Sequence, residues 1–203
     1  MKLFIGNYNY SSWSLRAWLT LKSCTNDFQV ELIRLGHETS KEVLLSSNPS
    51  GKVPCLIDQK LTIWDTLAIC EYLNEAFPDK SILPLEKNNR SFVRSCCAEM
   101  HSELRALRKE CPMEINKPNQ KKEISNRSIK EFQRLDQMVD EYTSLQLDRN
   151  LFDYFMTPFA VRARCFPGFI NKNTQMYFDK LLKHPHFLEW EKNALLEKWV
   201  IEY

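Results

Sequence analysis

The stretch YNYSSWSLRAW, Tyr8 to Trp18, sets three serines around a tryptophan where a short apolar strand gives way to a helix. Ser11 and Ser12 fall in the first helical turn, where backbone amides lack intrahelical partners and the helix end carries partial positive charge. A serine there caps the helix. The same hydroxyl and amides would also stabilise a thiolate placed at that end, because a hydrogen bond to ionised sulfur favours the ionised form. A second stretch, NPSGKVPCLI, puts Pro54 at the head of a strand, where proline cannot donate to a ladder. It reads either as an edge-strand proline or as a cis Val53–Pro54 bond that turns the Val53 amide and carbonyl outward to an extended peptide ligand. In the third stretch, IWDTLAICEYL, Asp65 or Thr66 caps a helix. Free amides at that helix start, with the Thr66 hydroxyl, would bind a carboxylate, while Asp65 would accept from an ammonium group. A carboxylate and an ammonium on one carbon describe the end of an amino acid.

The elements that must position these residues alternate in type over the first 77 positions. Leu3 to Ile5 is a short strand, and Leu15, Trp18 and Leu19 give a helical stripe after the serines. FQVELIRL, Phe28 to Leu35, reads as a second strand, and KEVLLSS as a short helix that stops at Asn48 before Pro49. VPCLI and LTIW are two strands joined by a tight turn at DQK. Ile69, Tyr72, Leu73 and Ala76 then share one helical face, so the order is βαβαββα. FPDKSILPLEKNNR reads as a linker, and no strand candidate follows it. Helical stripes run through Val93, Cys96, Cys97, Met100, Leu104 and Leu107, and through Ile129, Phe132, Leu135, Val139 and Tyr142. Further stripes cover Leu151 to Ala163, Met176 to Leu182 and Phe187 to Trp199. The expected fold class is a small α/β half over residues 1–78 joined to an all-helical half over 88–203.

Composition narrows the partners. The net charge is +2, which gives no electrostatic reason for nucleic acid or a membrane surface. No apolar run approaches the ~20 residues of a membrane span, and MKLFIGNYNY has too short an apolar run for a signal peptide. Seven cysteines, an odd number, show neither CxxC nor zinc spacing, so no metal is expected and a reducing cytoplasm is the natural setting. Asn150 and Asp153 have the spacing of a capping box, which makes Asp153 a folding residue rather than a catalytic acid. The four histidines read as surface or structural: His184 and His186 flank a proline at a helix start, and nothing in the sequence pairs with His37 or His101.

Taken together, S-S-W-S-x-R after the first strand, N-P-x-G-K-V-P-x-L before the third and D-T-x-A-I-x-E-Y-L after the fourth resemble the glutathione S-transferase superfamily. The ending LLKHPHFLEWEKNALLEKWVIEY is similar to a bacterial branch of it. The resemblance spans the chain and implies a thioredoxin-like N-terminal domain, a linker and an all-helical C-terminal domain. It matches Ser11 to the activating serine, with Ser12 a weaker candidate, and Val53 to the residue before the cis-proline. Asp65-Thr66 match the pair that holds the γ-glutamyl end of glutathione, with Asp-Thr standing where Glu-Ser or Gln-Ser is usual. Trp13 stands where redox-active and zeta-type members carry cysteine, which argues against disulfide exchange at this site. An electrophile pocket would lie between the domains, lined by Tyr10, Trp13, Met100 and Leu104. The implied activity is a cytoplasmic, homodimeric glutathione transferase that adds the thiolate to electrophilic carbon. Alternatives are a maleylacetoacetate-isomerase-like activity and a non-catalytic binding module of the stringent-starvation type, which acts by binding RNA polymerase.

Overall fold

The computed structural model describes residues 1–37 and 40–201. The last two residues of the C-terminal signature therefore lie outside it. The first half contains β1 (Lys2–Ile5), α1 (Ser12–Cys24), β2 (Gln29–Leu32), α2 (Ser40–Ser47), β3 (Cys55–Asp58), β4 (Leu61–Ile63) and α3 (Thr66–Ala76). This is the βαβαββα order read from the sequence. The strands form one mixed sheet in the order β2-β1-β3-β4, with β1 and β2 parallel and the other pairs antiparallel. Alternation along β1 separates two cores. Leu3 and Ile5 join the main core with Leu15, Leu19, Ile69 and Leu73, while Phe4 meets Ile33, Leu44 of α2 and Cys55. The result is a thioredoxin-like N-terminal domain.

β2 is shorter than its sequence pattern. Only Gln29–Leu32 pair with β1, because β1 itself leaves the sheet after Ile5. Beyond that point Ile33 still donates to the Ile5 carbonyl at 2.8 Å, and Leu35 donates to the Asn7 side chain at 2.8 Å. The β3–β4 turn falls at Gln59 and Lys60, with Gln59 at φ +52°. Pro54 lies just outside the ladder, where its missing N–H costs nothing.

A short 3-10 turn at Pro78–Lys80 leads into the helical region. It comprises α4 (Lys87–Ser102), α5 (Arg105–Glu110), α6 (Asn126–Ser144), α7 (Leu151–Cys165), α8 (Lys172–Leu182) and α9 (Pro185–Leu196). No strand follows β4 among the described residues. The apolar stripe from Val93 to Leu107 is not one helix. It breaks at Leu104, which sits at φ +59°. The free amides of the new helix start are taken by the Glu131 carboxylate of α6, at 3.4 Å from the Ala106 nitrogen and 2.7 Å from that of Leu107. Two further expectations are corrected. Met176 is 55% exposed, and α8 instead buries Thr174, Tyr177, Phe178 and Leu181. α9 ends at Leu196 rather than reaching Trp199. Past that end, the Glu197 carboxylate accepts from the Tyr8 and Asn9 amides at 2.7 and 2.9 Å.

α7 runs through the core of the helical half, packed on α1, α4 and α8. Its head carries the expected capping box: Asn150 Oδ1 accepts from the Phe152 amide at 3.0 Å, and Asp153 Oδ2 accepts from the Asn150 amide at 2.9 Å. Buried Asp153 also accepts from the Tyr142 and Tyr177 hydroxyls at 2.7 and 2.8 Å. Burial, reinforced by the Asp153 carboxylate, pushes both phenols up from their ordinary range. Asp153 thus belongs to the folding core, as its spacing predicts.

Candidate functional site

The loop after β1 delivers the serines. Ser11 is the N-cap of α1: its Oγ accepts from the Ser14 amide at 3.4 Å and donates to Ser14 Oγ at 2.8 Å. Ser14 Oγ also accepts from the Gly6 amide at 2.9 Å, which ties the helix head to the end of β1. That closeness favours a residue without a side chain. A Cβ on Gly6 would stand 2.6 Å from the Leu35 side chain and 3.1 Å from Ser11 Cβ. Ser11 and Ser12 are each only 7% exposed. Ser12 Oγ accepts from the Arg162 guanidinium at 3.4 Å, and its carbonyl accepts from Arg16 at 3.2 Å.

The head of α3 is built differently. Asp65 is its N-cap, with Oδ1 accepting from the Leu67 amide at 2.9 Å. Asp65 Oδ2 lies 2.6 Å from His101 Nε2 on α4. The Thr66 hydroxyl donates to the Trp13 carbonyl at 3.3 Å, so the heads of α1 and α3 are joined directly. The Trp13 ring lies near the Arg16 guanidinium at 4.5 Å, that of Arg108 at 5.3 Å and the His101 ring at 5.0 Å.

A cleft of about 420 Å³ opens here. Lys52, Val53 and Pro54 line it from the loop before β3, and the Val53–Pro54 bond is cis. Trp64, Asp65 and Thr66 line it from the head of α3, with Trp13 from α1. His101 and Arg108 close it from α4 and α5. Lys52 and Arg108 are cationic, and Asp65 is the one carboxylate among these lining residues. Burial lowers the Arg108 guanidinium somewhat, and neighbouring Arg105 adds to this. Fully buried Arg16 is pushed well down by burial and by repulsion from Arg162 and Arg108.

Of the residues singled out from sequence, the structure brings Trp13, Val53, Asp65 and Thr66 together on this cleft. Ser11, Ser12, Tyr10, Met100 and Leu104 are not among its lining residues. Met100, Leu104 and Tyr10 are 0%, 3% and 7% exposed and sit in the core, Met100 on the α4 helix that packs against α7. His101 is a correction of another kind: it has a partner, Asp65, 36 positions away. His101 and Arg108 were missed because neither has a local signal. Lys52 stands inside a recognised motif without an assigned role. Among the described residues no three His, Cys, Asp or Glu side chains group as metal ligands would. All seven cysteines are buried free thiols, and burial pushes Cys70 up to about 12 and Cys24 and Cys111 up to about 11.

Comparison with known proteins points the same way over the first half of the chain. Residues 10–76 match the family model described as glutathione S-transferase, N-terminal domain. Over those residues the chain is similar to the glutathione S-transferases, and its fold is the one that solved glutathione transferases have. A maleylacetoacetate isomerase from Pseudomonas aeruginosa is 33% identical over 111 residues, 53% of this chain and 51% of that protein. The chain spans about two fifths to one half of the length of the curated relatives it matches. The transferase fold extends further than the sequence match. A glutathione transferase homolog from Burkholderia with bound glutathione aligns with a TM-score of 0.74 at 18% identity, over 96% of this chain and 97% of that one. A sphingomonad glutathione S-transferase complexed with glutathione aligns with a TM-score of 0.68 at 21% identity, over 97% and 100% of the two chains.

Proposed function

We propose that the protein is a glutathione transferase that binds glutathione in this cleft and delivers its thiolate to small electrophilic carbon centres. The observation that carries the reading is the convergence of Asp65, Thr66, Val53 and Trp13 on one cleft from three separate segments. Asp65 accepts from the γ-glutamyl ammonium, and Thr66 with the α3 head holds the neighbouring carboxylate. Val53, before the cis-proline, pairs with the cysteinyl backbone as an added strand would. Ser11 serves the sulfur. A hydroxyl has one donor and two acceptor positions, so Ser14 can donate to Ser11 and release the Ser11 proton towards a thiolate. Ser12, held by Arg162, is the second candidate for that role. The electrophile lies on the Trp13 side of the cleft, and Tyr10, Met100 and Leu104 back that wall from the core.

In this proposal residues 1–78 form the glutathione-binding domain and 88–203 the helical domain of a cytoplasmic homodimer. Sedimentation tests the last point, which a monomer at micromolar concentration contradicts. No helix of the described residues is long and apolar enough to cross a membrane. Activity is tested by following glutathione consumption with an activated aryl halide. Stoichiometric conjugation supports the transferase, and absence of both conjugation and glutathione binding overturns it. One observation favours a second reading, a maleylacetoacetate-isomerase-like activity: the name of the Pseudomonas aeruginosa relative. In that case the thiolate adds to a cis alkene and leaves again after rotation, so glutathione is not consumed.

A further inference from the structure

We propose that His101 is a positioning residue for Asp65, and that its protonation state decides how well the cleft takes the ammonium end of its ligand. This rests on the glutathione reading above. Asp65 has four lone-pair sites on two oxygens. The Leu67 amide occupies one site on Oδ1, and His101 Nε2 occupies one on Oδ2 at 2.6 Å. The imidazole is held against the Trp13 ring, with centroids 5.0 Å apart, and its side chain remains 33% exposed. Nε2 must carry a proton to bond the carboxylate, so neutral His101 has an unprotonated Nδ1.

The two protonation states present different sites. Neutral His101 fixes the carboxylate rotamer, leaves its negative charge uncompensated and keeps lone pairs open to an ammonium. Protonated His101 turns the contact into an internal ion pair, and an incoming ammonium then meets a compensated carboxylate beside an imidazolium. Among the described residues that line the cleft there is no second acid. The charged groups that share the cleft lining with His101 are Asp65 from the head of α3, Arg108 from α5 and Lys52 from the loop before β3. Arg108 donates to the His101 carbonyl at 3.5 Å, so it stands on the backbone side of the same residue. With both other charges positive, Asp65 is the one anchor for a cationic ligand group, and His101 holds it.

The probe is S-methylglutathione, whose sulfur cannot ionise and so contributes no pH dependence of its own. Calorimetric titrations of the intact protein between pH 8 and pH 5.5 are expected to show affinity falling on the order of tenfold towards the acid end. His101→Gln keeps a donor on Asp65 without a titrating group: it should restore most of the affinity lost in His101→Ala and flatten the profile. A des-amino analogue, which lacks the ammonium, should bind with little pH dependence in wild type. A purely structural histidine would lower affinity on replacement without moving the profile. Binding with a flat wild-type profile, or an undiminished slope in His101→Gln, overturns this proposal alone. Failure of S-methylglutathione to bind at any pH overturns the glutathione reading with it.

Discussion

The heads of α1 and α3 are both helix N-termini with a side-chain cap, and they spend that cap differently. At α1 the Ser11 oxygen accepts from the Ser14 amide and its proton goes to Ser14 Oγ, in a site 7% exposed and closed by Gly6. At α3 only one Asp65 oxygen serves the helix, and the other faces the cleft and His101, with about half of the side chain exposed. A cap commits one side-chain acceptor site to a free helix amide. A carboxylate has acceptors to spare after capping, whereas a hydroxyl must rearrange its proton to serve a ligand. In the proposed reading the α3 head therefore takes a ligand group directly, while the α1 head does so only through its Ser14 partner.

The head of α7 marks the closed extreme of the same comparison, and it gives the largest expected effect. Asp153→Ala removes the acceptor of the Asn150 amide and of two buried phenols. Cap loss costs about 0.5–2 kcal/mol and each unsatisfied buried group about 1–3, so destabilisation of about 3 kcal/mol or more is expected by denaturant unfolding. Glutathione affinity should stay at the wild-type value under folded conditions. A variant that melts like wild type but loses glutathione binding would move α7 into the functional class.

Ser11→Ala sharpens the middle case. If the hydroxyl turns to the thiolate, its loss removes one charge-assisted hydrogen bond of about 1.5–3 kcal/mol. The pH–rate profile should move upward by about 1–2 pH units and turnover near neutrality should fall about ten- to a hundredfold, with affinity little changed. Ser12→Ala is the companion measurement. An unmoved profile in Ser11→Ala with a displaced one in Ser12→Ala would assign the sulfur to Ser12 and leave Ser11 as a cap alone.

The smallest effect concerns a fourth helix head. His184 caps α9 through Nδ1, which accepts from the His186 amide at 3.2 Å and so requires an unprotonated nitrogen. Burial, with repulsion from Arg149 and His186, lowers His184 from 6.5 to about 4. A folded-state value below the unfolded one means the contribution is present above about 6.5 and is lost as pH falls towards about 4. Unfolding free energy should decline across that window by a fraction of the ~1 kcal/mol of a typical cap, because the ring is partly exposed, and the melting temperature should fall with it. His184→Asn keeps an acceptor that does not titrate and should flatten part of the decline. An unaltered slope in that variant would remove His184 from the account.

What could be read in advance follows the same division. The Ser11–Ser14, Asp65–Leu67 and Asn150–Asp153 bonds close within four residues, and the cis Val53–Pro54 bond sits inside a local motif. Local chemistry of that kind is written in the sequence, as was the βαβαββα order. The break at Leu104 was not legible, because the carboxylate that caps α5 comes from Glu131 on another helix. The His101–Asp65 pair was hidden for the same reason. Periodicity correctly marked Met100 and Leu104 as inward-facing, but inward meant the core and not the cleft. The apolar stripe says that a side chain is covered, and packing decides by what.

The most direct test of the account is a glutathione titration of wild type and Asp65→Ala, followed by tryptophan fluorescence, since Trp13 and Trp64 both line the cleft. Loss of a charge-assisted contact of about 1.5–3 kcal/mol predicts a saturable signal in wild type and affinity weakened about ten- to a hundredfold in Asp65→Ala. No saturable change in wild type, or an Asp65→Ala variant that binds as wild type does, would contradict the claim that the open head of α3 is where this protein takes its ligand.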